Sequence, residues 1–184
     1  GFPVFVLLDR FIMDIIPVGD VAVRGNFASA VLMMMTLSIL AELGFRLGAR
    51  WWACLLGALT LGLSPWLLLH GTTIEVYAGL GLWLVAMIWL TMRLLESRDL
   101  RFALLMSFCM GLGIGGHHPE TRLFSLLFAG FILVCIRGRI RALLGCISVG
   151  LAGLLVVLYL PLRAATSPWR NWGDPVNASR LWDH

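Results

Sequence analysis

The chain alternates long apolar runs with short polar breaks, and the runs have the length of a bilayer. A spanning helix takes about 20 apolar residues to cross about 30 Å of hydrocarbon. Residues 26–47 qualify, with only Glu42 and Arg46 near the far end. Residues 51–69 qualify, although Pro65 is expected to kink or end that helix early. Residues 73–95 qualify if 73–78 supplies the first turn, and 142–162 is the most uniform run. Residues 102–116 and 119–136 are shorter. They predict a hairpin whose connection, Gly115 to Arg122, dips toward the membrane or lies in a protein-lined cavity.

The first stretch differs. Residues 2–16 are apolar but carry Asp9, Arg10 and Asp14, and the run stops at Pro17. Fifteen helical residues reach only about 22 Å. At 100° per residue the three charges fall on one side, so the segment predicts an amphipathic helix lying in the interface. Burying those charges in a short span would be expensive.

Composition narrows the class. Of 184 residues, 60% are hydrophobic and 13% charged, against about 45–50% and about 25% in soluble domains. A chain this size has too much surface to hide that excess in one water-soluble core, and a disordered chain would be poor in apolar residues. The expected fold is an all-α, polytopic transmembrane helical bundle of six candidate spans, with residues 163–184 as an extracytoplasmic loop. Cys54, Cys109, Cys135 and Cys146 lie in apolar runs without a C-x-x-C and read as small buried hydrophobes. The chain starts at Gly1 without Met or a signal-peptide pattern, and is expected to be a piece of a longer protein.

The net charge of +4 comes from fourteen basic residues, all arginine. They do not form an aromatic-interleaved basic run, so nucleic acid is not an expected partner. Arg46, Arg50, Arg93, Arg98, Arg101, Arg137, Arg139 and Arg141 flank three loops instead, which makes those loops cytoplasmic by the positive-inside rule. The opposite face then holds His70, Thr72, Glu75, Tyr77, His117, His118, Glu120, Arg122, Arg163, Arg170, Asn171 and Asp174. The chemistry is expected there, on the outer face of the membrane.

Each polar motif on that face has two readings. Thr72-Thr73-Ile74-Glu75 fits a capping box, in which Glu75 only satisfies helix N–H groups, or Glu75 is an acidic site residue. Gly111 to Gly116 formally matches G-x-G-x-x-G. It follows a membrane helix rather than a strand, so close helix packing is the expected role. His117 and His118 are adjacent and cannot share a helix face as an i, i+4 metal pair would, so no metal site is expected. They read as a solvated turn or as imidazoles holding a phosphate. Arg163 is either a snorkelling anchor or a bidentate phosphate contact. Asn177-Ala178-Ser179 matches a glycosylation sequon, a common accident.

Several blocks, in order, resemble one family. They are Gly1 to Leu8, Glu75-Val76-Tyr77-Ala78, Gly111 to His118, Tyr159 to Arg163, and Asn171-Trp172-Gly173-Asp174-Pro175. The chain is similar to a membrane domain family of unknown function, widespread in bacteria, whose animal member is a protein O-mannosyltransferase acting on plexin-type receptor domains. That family resembles the GT-C glycosyltransferases. Phe2 replaces the family's Tyr, and Gly116 stands where Asn is common.

The resemblance implies an integral membrane enzyme moving a sugar, mannose in the animal member, from a polyprenyl-phosphate carrier to a protein or other acceptor on the outer face. It implies a bacterial cytoplasmic membrane with the site facing the periplasm or exterior. The implied partners are the bilayer, the lipid-linked donor as substrate and a possible protein acceptor, with no certain cofactor and metal dependence left open. It places the main acidic residue in a first outer loop upstream of Gly1, with Glu75 as the fallback catalytic carboxylate. His117, His118, Arg163, Tyr77, Asn171 and Asp174 are the implied substrate-binding residues. Two readings from other classes stand beside it: a transporter or flippase of a lipid-linked or polar solute, and a purely structural membrane subunit. Transporters often show internal repeats, and none is visible between the halves.

Overall fold

The computed structural model describes residues 3–16, 18–115, 119–167, 175–177, 179 and 180. The regular structure among them is entirely helical, so the fold is all-α. The order is α1 (Pro3–Ile15), α2 (Val21–Arg46), α3 (Trp51–Gly62), α4 (Pro65–Thr72), α5 (Val76–Ser97), α6 (Leu100–Ile114), α7 (Pro119–Cys135), α8 (Ile140–Leu154), a 3-10 turn (Leu155–Leu158) and α9 (Tyr159–Ala164). Among the described residues, three stretches are long and apolar enough to cross a membrane: Val21–Arg46, Val76–Ser97 and Ile140–Ala164. The α3–α4 pair adds a fourth if it is one broken span. The chain divides into two compact units, one of residues 5–98 and one of 99–184 with 1–4.

In the first unit, Gly19 adopts a positive φ of 84° and Asp20 caps α2, its side chain accepting from the Val23 N–H at 2.8 Å. This cap starts the helix at Val21, five residues before the apolar run expected at Asn26. Gly25, Ala28, Ser29, Leu32, Thr36 and Leu43 are buried along α2, spaced by three, four or seven residues. That is one face of a 3.6-residue helix. The small residues near its start admit α5 and the segment before it, for Ile74 seats on Gly25 and Thr36 on Gly81.

The expected single span over 51–69 is broken. Pro65 has no N–H and its ring opposes a continuing helix, so α3 ends at Gly62 and α4 restarts on Pro65 after a 71° bend. Ser64 Oγ satisfies the freed Leu61 carbonyl at 2.6 Å. The returning α3–α4 path leaves α2 and α5 parallel. At one end Arg46 bonds Glu42 at 2.8 Å and Glu96 at 3.2 Å, and Arg93 also reaches Glu96 at 3.2 Å. At the other end Asn26 Oδ1 accepts from the Ile74 N–H at 2.9 Å. The arginine end and the Ile74 end are thus separated by the length of α5, about 33 Å.

One expectation for α1 is corrected. Its three charges do not share a wet face. Arg10 and Asp14 are exposed and paired at 2.9 Å, whereas Asp9 is buried, and its Oδ1 has no hydrogen-bond partner. Burial raises the Asp9 carboxyl above its ordinary value of 3.8. A raised folded-state value favours the protonated form. Its stabilising contribution is therefore full below the ordinary value and is lost as pH rises through the raised one. Asp9→Asn is expected to raise the thermal midpoint of the detergent-solubilised protein at neutral pH. The gain should shrink as pH falls toward 3.8. A lowered midpoint at every pH would show that the carboxylate is satisfied and stabilising.

In the second unit α6 and α8 run parallel and side by side, with α7 linking the end of one to the start of the other. Their backbones touch without intervening side chains. A Cβ on Gly111 would overlap the Gly150 carbonyl, and one on Gly153 would overlap that of Phe108. Gly150 itself sits over the Ser107 carbonyl. Thr121 Oγ1 donates to the Gly113 carbonyl at 2.6 Å, which ties the start of α7 to the end of α6. Pro119 opens α7 at a first-turn position where its missing N–H is harmless. Pro161 removes a donor from the last span, and the helix tightens to 3-10 over Leu155–Leu158 just before it.

Candidate functional site

The polar end of the first unit is built where α4 stops and α5 starts. Two threonines end α4 by bonding back to it: Thr72 Oγ1 to the Leu68 carbonyl and Thr73 Oγ1 to the Leu69 carbonyl, each at 2.7 Å. The backbone turns extended at Thr73, with φ −118° and ψ 145°. Asn26 holds the Ile74 N–H, and the Ile74 side chain drops onto Gly25. Glu75 is then fixed as the first residue before α5, with φ −141° and ψ 152°.

The capping-box reading is corrected here. Thr72 belongs to α4 and bonds backward, and Glu75 makes no side-chain capping bond. Its carboxylate turns instead to His70, with Oε2 at 2.7 Å from Nδ1. The contact suits an Nδ1–H donating to a carboxylate oxygen, which can only accept when ionised. The imidazole is held on two sides by rings. Trp66 meets it edge-on with centroids 4.8 Å apart, and Tyr77 lies tilted at 5.0 Å. The His70 side chain is 14% exposed and that of Glu75 is 43% exposed. A half-buried imidazole therefore anchors a more accessible carboxylate at the end of a membrane helix. Arg24, in the first turn of α2, adds a cation at that end of the helix, with its Nε buried and unbonded.

An apolar cavity of about 380 Å³ runs along α2, α3 and α4, lined by Met33, Leu37, Leu59, Leu67, Gly71 and Thr72 among others. It ends at the same α4 terminus.

The other expected site residues fall elsewhere. Tyr77 joins Glu75 through the His70 ring. Arg163 is exposed on α9 in the second unit, where its Nη1 donates to Thr166 Oγ1 at 3.0 Å. His117, His118, Asn171 and Asp174 lie outside the described residues. Among the described residues, His, Cys, Asp and Glu do not gather in threes that could hold a metal. Sequence reasoning placed His70 on the outer face but gave it no partner. The available signal was its spacing, five residues before Glu75 across a helix end. Nothing in the sequence announced Asn26 as the partner of Ile74, 48 residues away.

Apolar spans, the Arg46 and Arg93 ion-pair cluster at one end of α2 and α5 and an anchored carboxylate at the other define an integral membrane protein of the all-helical class. Residues 1–144 match the family model of the protein O-mannosyl-transferase TMEM260 N-terminal domain, and the chain belongs to that family. Searches of the curated proteins and of the solved structures gave no match.

Proposed function

We propose that the chain is the membrane core of a glycosyltransferase that moves mannose from a polyprenyl-phosphate carrier to a hydroxyl of a protein acceptor on the outer face of the membrane. The family match supports the sugar-transfer class. The observation that carries the site reading is the Glu75 carboxylate, withheld from helix capping and partly open at the end opposite the arginines. An acceptor hydroxyl needs a positioned carboxylate to receive its proton. In this reading the hydroxyl proton passes to Glu75 Oε1, and the freed oxygen electron pair forms the bond to the sugar C1. The C1–O bond to phosphate breaks, and the polyprenyl phosphate leaves with that electron pair. The departing phosphate needs cationic stabilisation. The apolar trough along α2, α3 and α4 has the chemistry to take the carrier tail.

The test is transfer by the purified full-length protein in lipid nanodiscs. Undecaprenyl-phosphate mannose is the donor and a Ser/Thr-rich peptide the acceptor. Mannosylated peptide is the expected product. Intact donor and unmodified peptide after prolonged incubation with folded protein would overturn the proposal.

A further inference from the structure

We propose that His70 is the positioning residue for Glu75: it holds one carboxylate oxygen so that the other faces the acceptor hydroxyl. This rests on the reading of Glu75 as the acceptor-side carboxylate.

Three observations carry the assignment of roles. The first is the bond itself, 2.7 Å between His70 Nδ1 and Glu75 Oε2. It occupies Oε2 and leaves Oε1 for another donor. The second is exposure. His70 is the enclosed partner and Glu75 the accessible one, so only the carboxylate is placed to meet a substrate, and the imidazole acts through it. The third is the setting of the ring. Trp66 and Tyr77 flank it from α4 and α5, and the backbone between them is pinned by Asn26. The ring is thus fixed by elements on both sides of the break, and its N–H direction is set before any substrate arrives. A carboxylate at this position is attracted to the positive N-terminal end of α5, and the His70 bond holds Oε2 on the imidazole instead. Such preorganisation matters because a displacement of about 1 Å in a reacting group can cost about 10²-fold in rate.

The nanodisc assay with undecaprenyl-phosphate mannose and the Ser/Thr-rich peptide tests this with four variants. E75Q is expected to lose about 10²-fold in kcat. H70F keeps a flat ring between Trp66 and Tyr77 but removes the donor. It should lose about tenfold in kcat with KM for the donor unchanged. H70N places an amide N–H where Nδ1–H stood and should recover most of that loss. In the E75Q background, H70F should lower activity no further, because the two residues act as one unit.

Full activity of H70F beside an inactive E75Q would overturn the positioning role and leave Glu75 in place. H70N no better than H70F would also overturn it, since packing rather than the donated bond would then be what matters. Full activity of E75Q would overturn the reading of Glu75 itself, and this inference with it.

Discussion

Gly111→Leu and Gly153→Leu are each expected to abolish the folded state of the second unit. The reason is the identity of the obstacle. At both positions an added Cβ meets a backbone carbonyl of the facing helix, Gly150 for Gly111 and Phe108 for Gly153. A side chain could rotate away, but a carbonyl moves only with its helix. Even alanine must push α6 and α8 apart. Overpacking of this kind costs about 1–3 kcal/mol, and more where backbone must shift. Separation would also open the seam around Ser107 and Gly150 along its length. Inside a bilayer no hydrophobic term draws the helices back, because lipid tails are as apolar as leucine and close packing supplies the attraction. Alanine should lower the thermal midpoint of the detergent-solubilised protein markedly, and leucine should leave no cooperative transition. Gly130→Leu on α7 and Gly57→Leu on α3 are the controls, since a Cβ there meets nothing within 4 Å. Wild-type melting of Gly111→Leu would show that the two helices do not touch at these glycines.

What the sequence made legible followed from local rules, and what it hid depended on tertiary choices. Apolar run length placed the helices, and Pro65 and Pro119 marked a break and a start because proline's missing N–H acts wherever the chain goes. The Gly111–Gly116 run suggested close packing through residue size alone, and Gly111 does meet α8. The α1 charges were misread for a geometrical reason. On a helix Arg10 and Asp14 are about 40° apart, but Asp9 lies about 100° from Arg10. A sector that wide can have one edge rolled under, and helix periodicity does not say where the inside begins. Glu75 had two readings, and the capping one failed for a different reason. Its spacing from Thr72 satisfies the capping-box pattern, but that pattern assumes Thr72 stands outside a helix. Here Thr72 ends the preceding one, so the local rule lost to a helix whose extent depends on Pro65 and on back-bonding threonines. The His70–Glu75 pair then follows from the break between helices, which no single-helix rule describes.

On the resemblance of Tyr159–Arg163 to the family's motif, Arg163 is a proposed phosphate contact by itself, and Arg163→Ala is expected to lower mannosyl transfer by about 10²–10³-fold while leaving the fold intact. Removing one preorganised donor from a developing anion costs about 10²–10³-fold in rate, and a guanidinium on a departing phosphate carries full charge besides. The side chain is exposed, and it makes a short local bond to Thr166 Oγ1 at 3.0 Å, three residues away. Little stability therefore depends on it, and melting in detergent should be unchanged. Arg163→Lys separates charge from shape. A lysine keeps the cation but not the planar fork that grips two phosphate oxygens, so its activity should fall between alanine and wild type. Thr166→Val removes the local bond and keeps the guanidinium. It should stay near wild type if the arginine acts on substrate, and should match Arg163→Ala if the arginine only shapes the end of α9. Because a phosphate contact made in both ground and transition states also aids binding, KM for the lipid donor should rise in Arg163→Ala while KM for the peptide stays put. Wild-type transfer by Arg163→Ala would remove this residue from the donor site and leave it as an interface anchor.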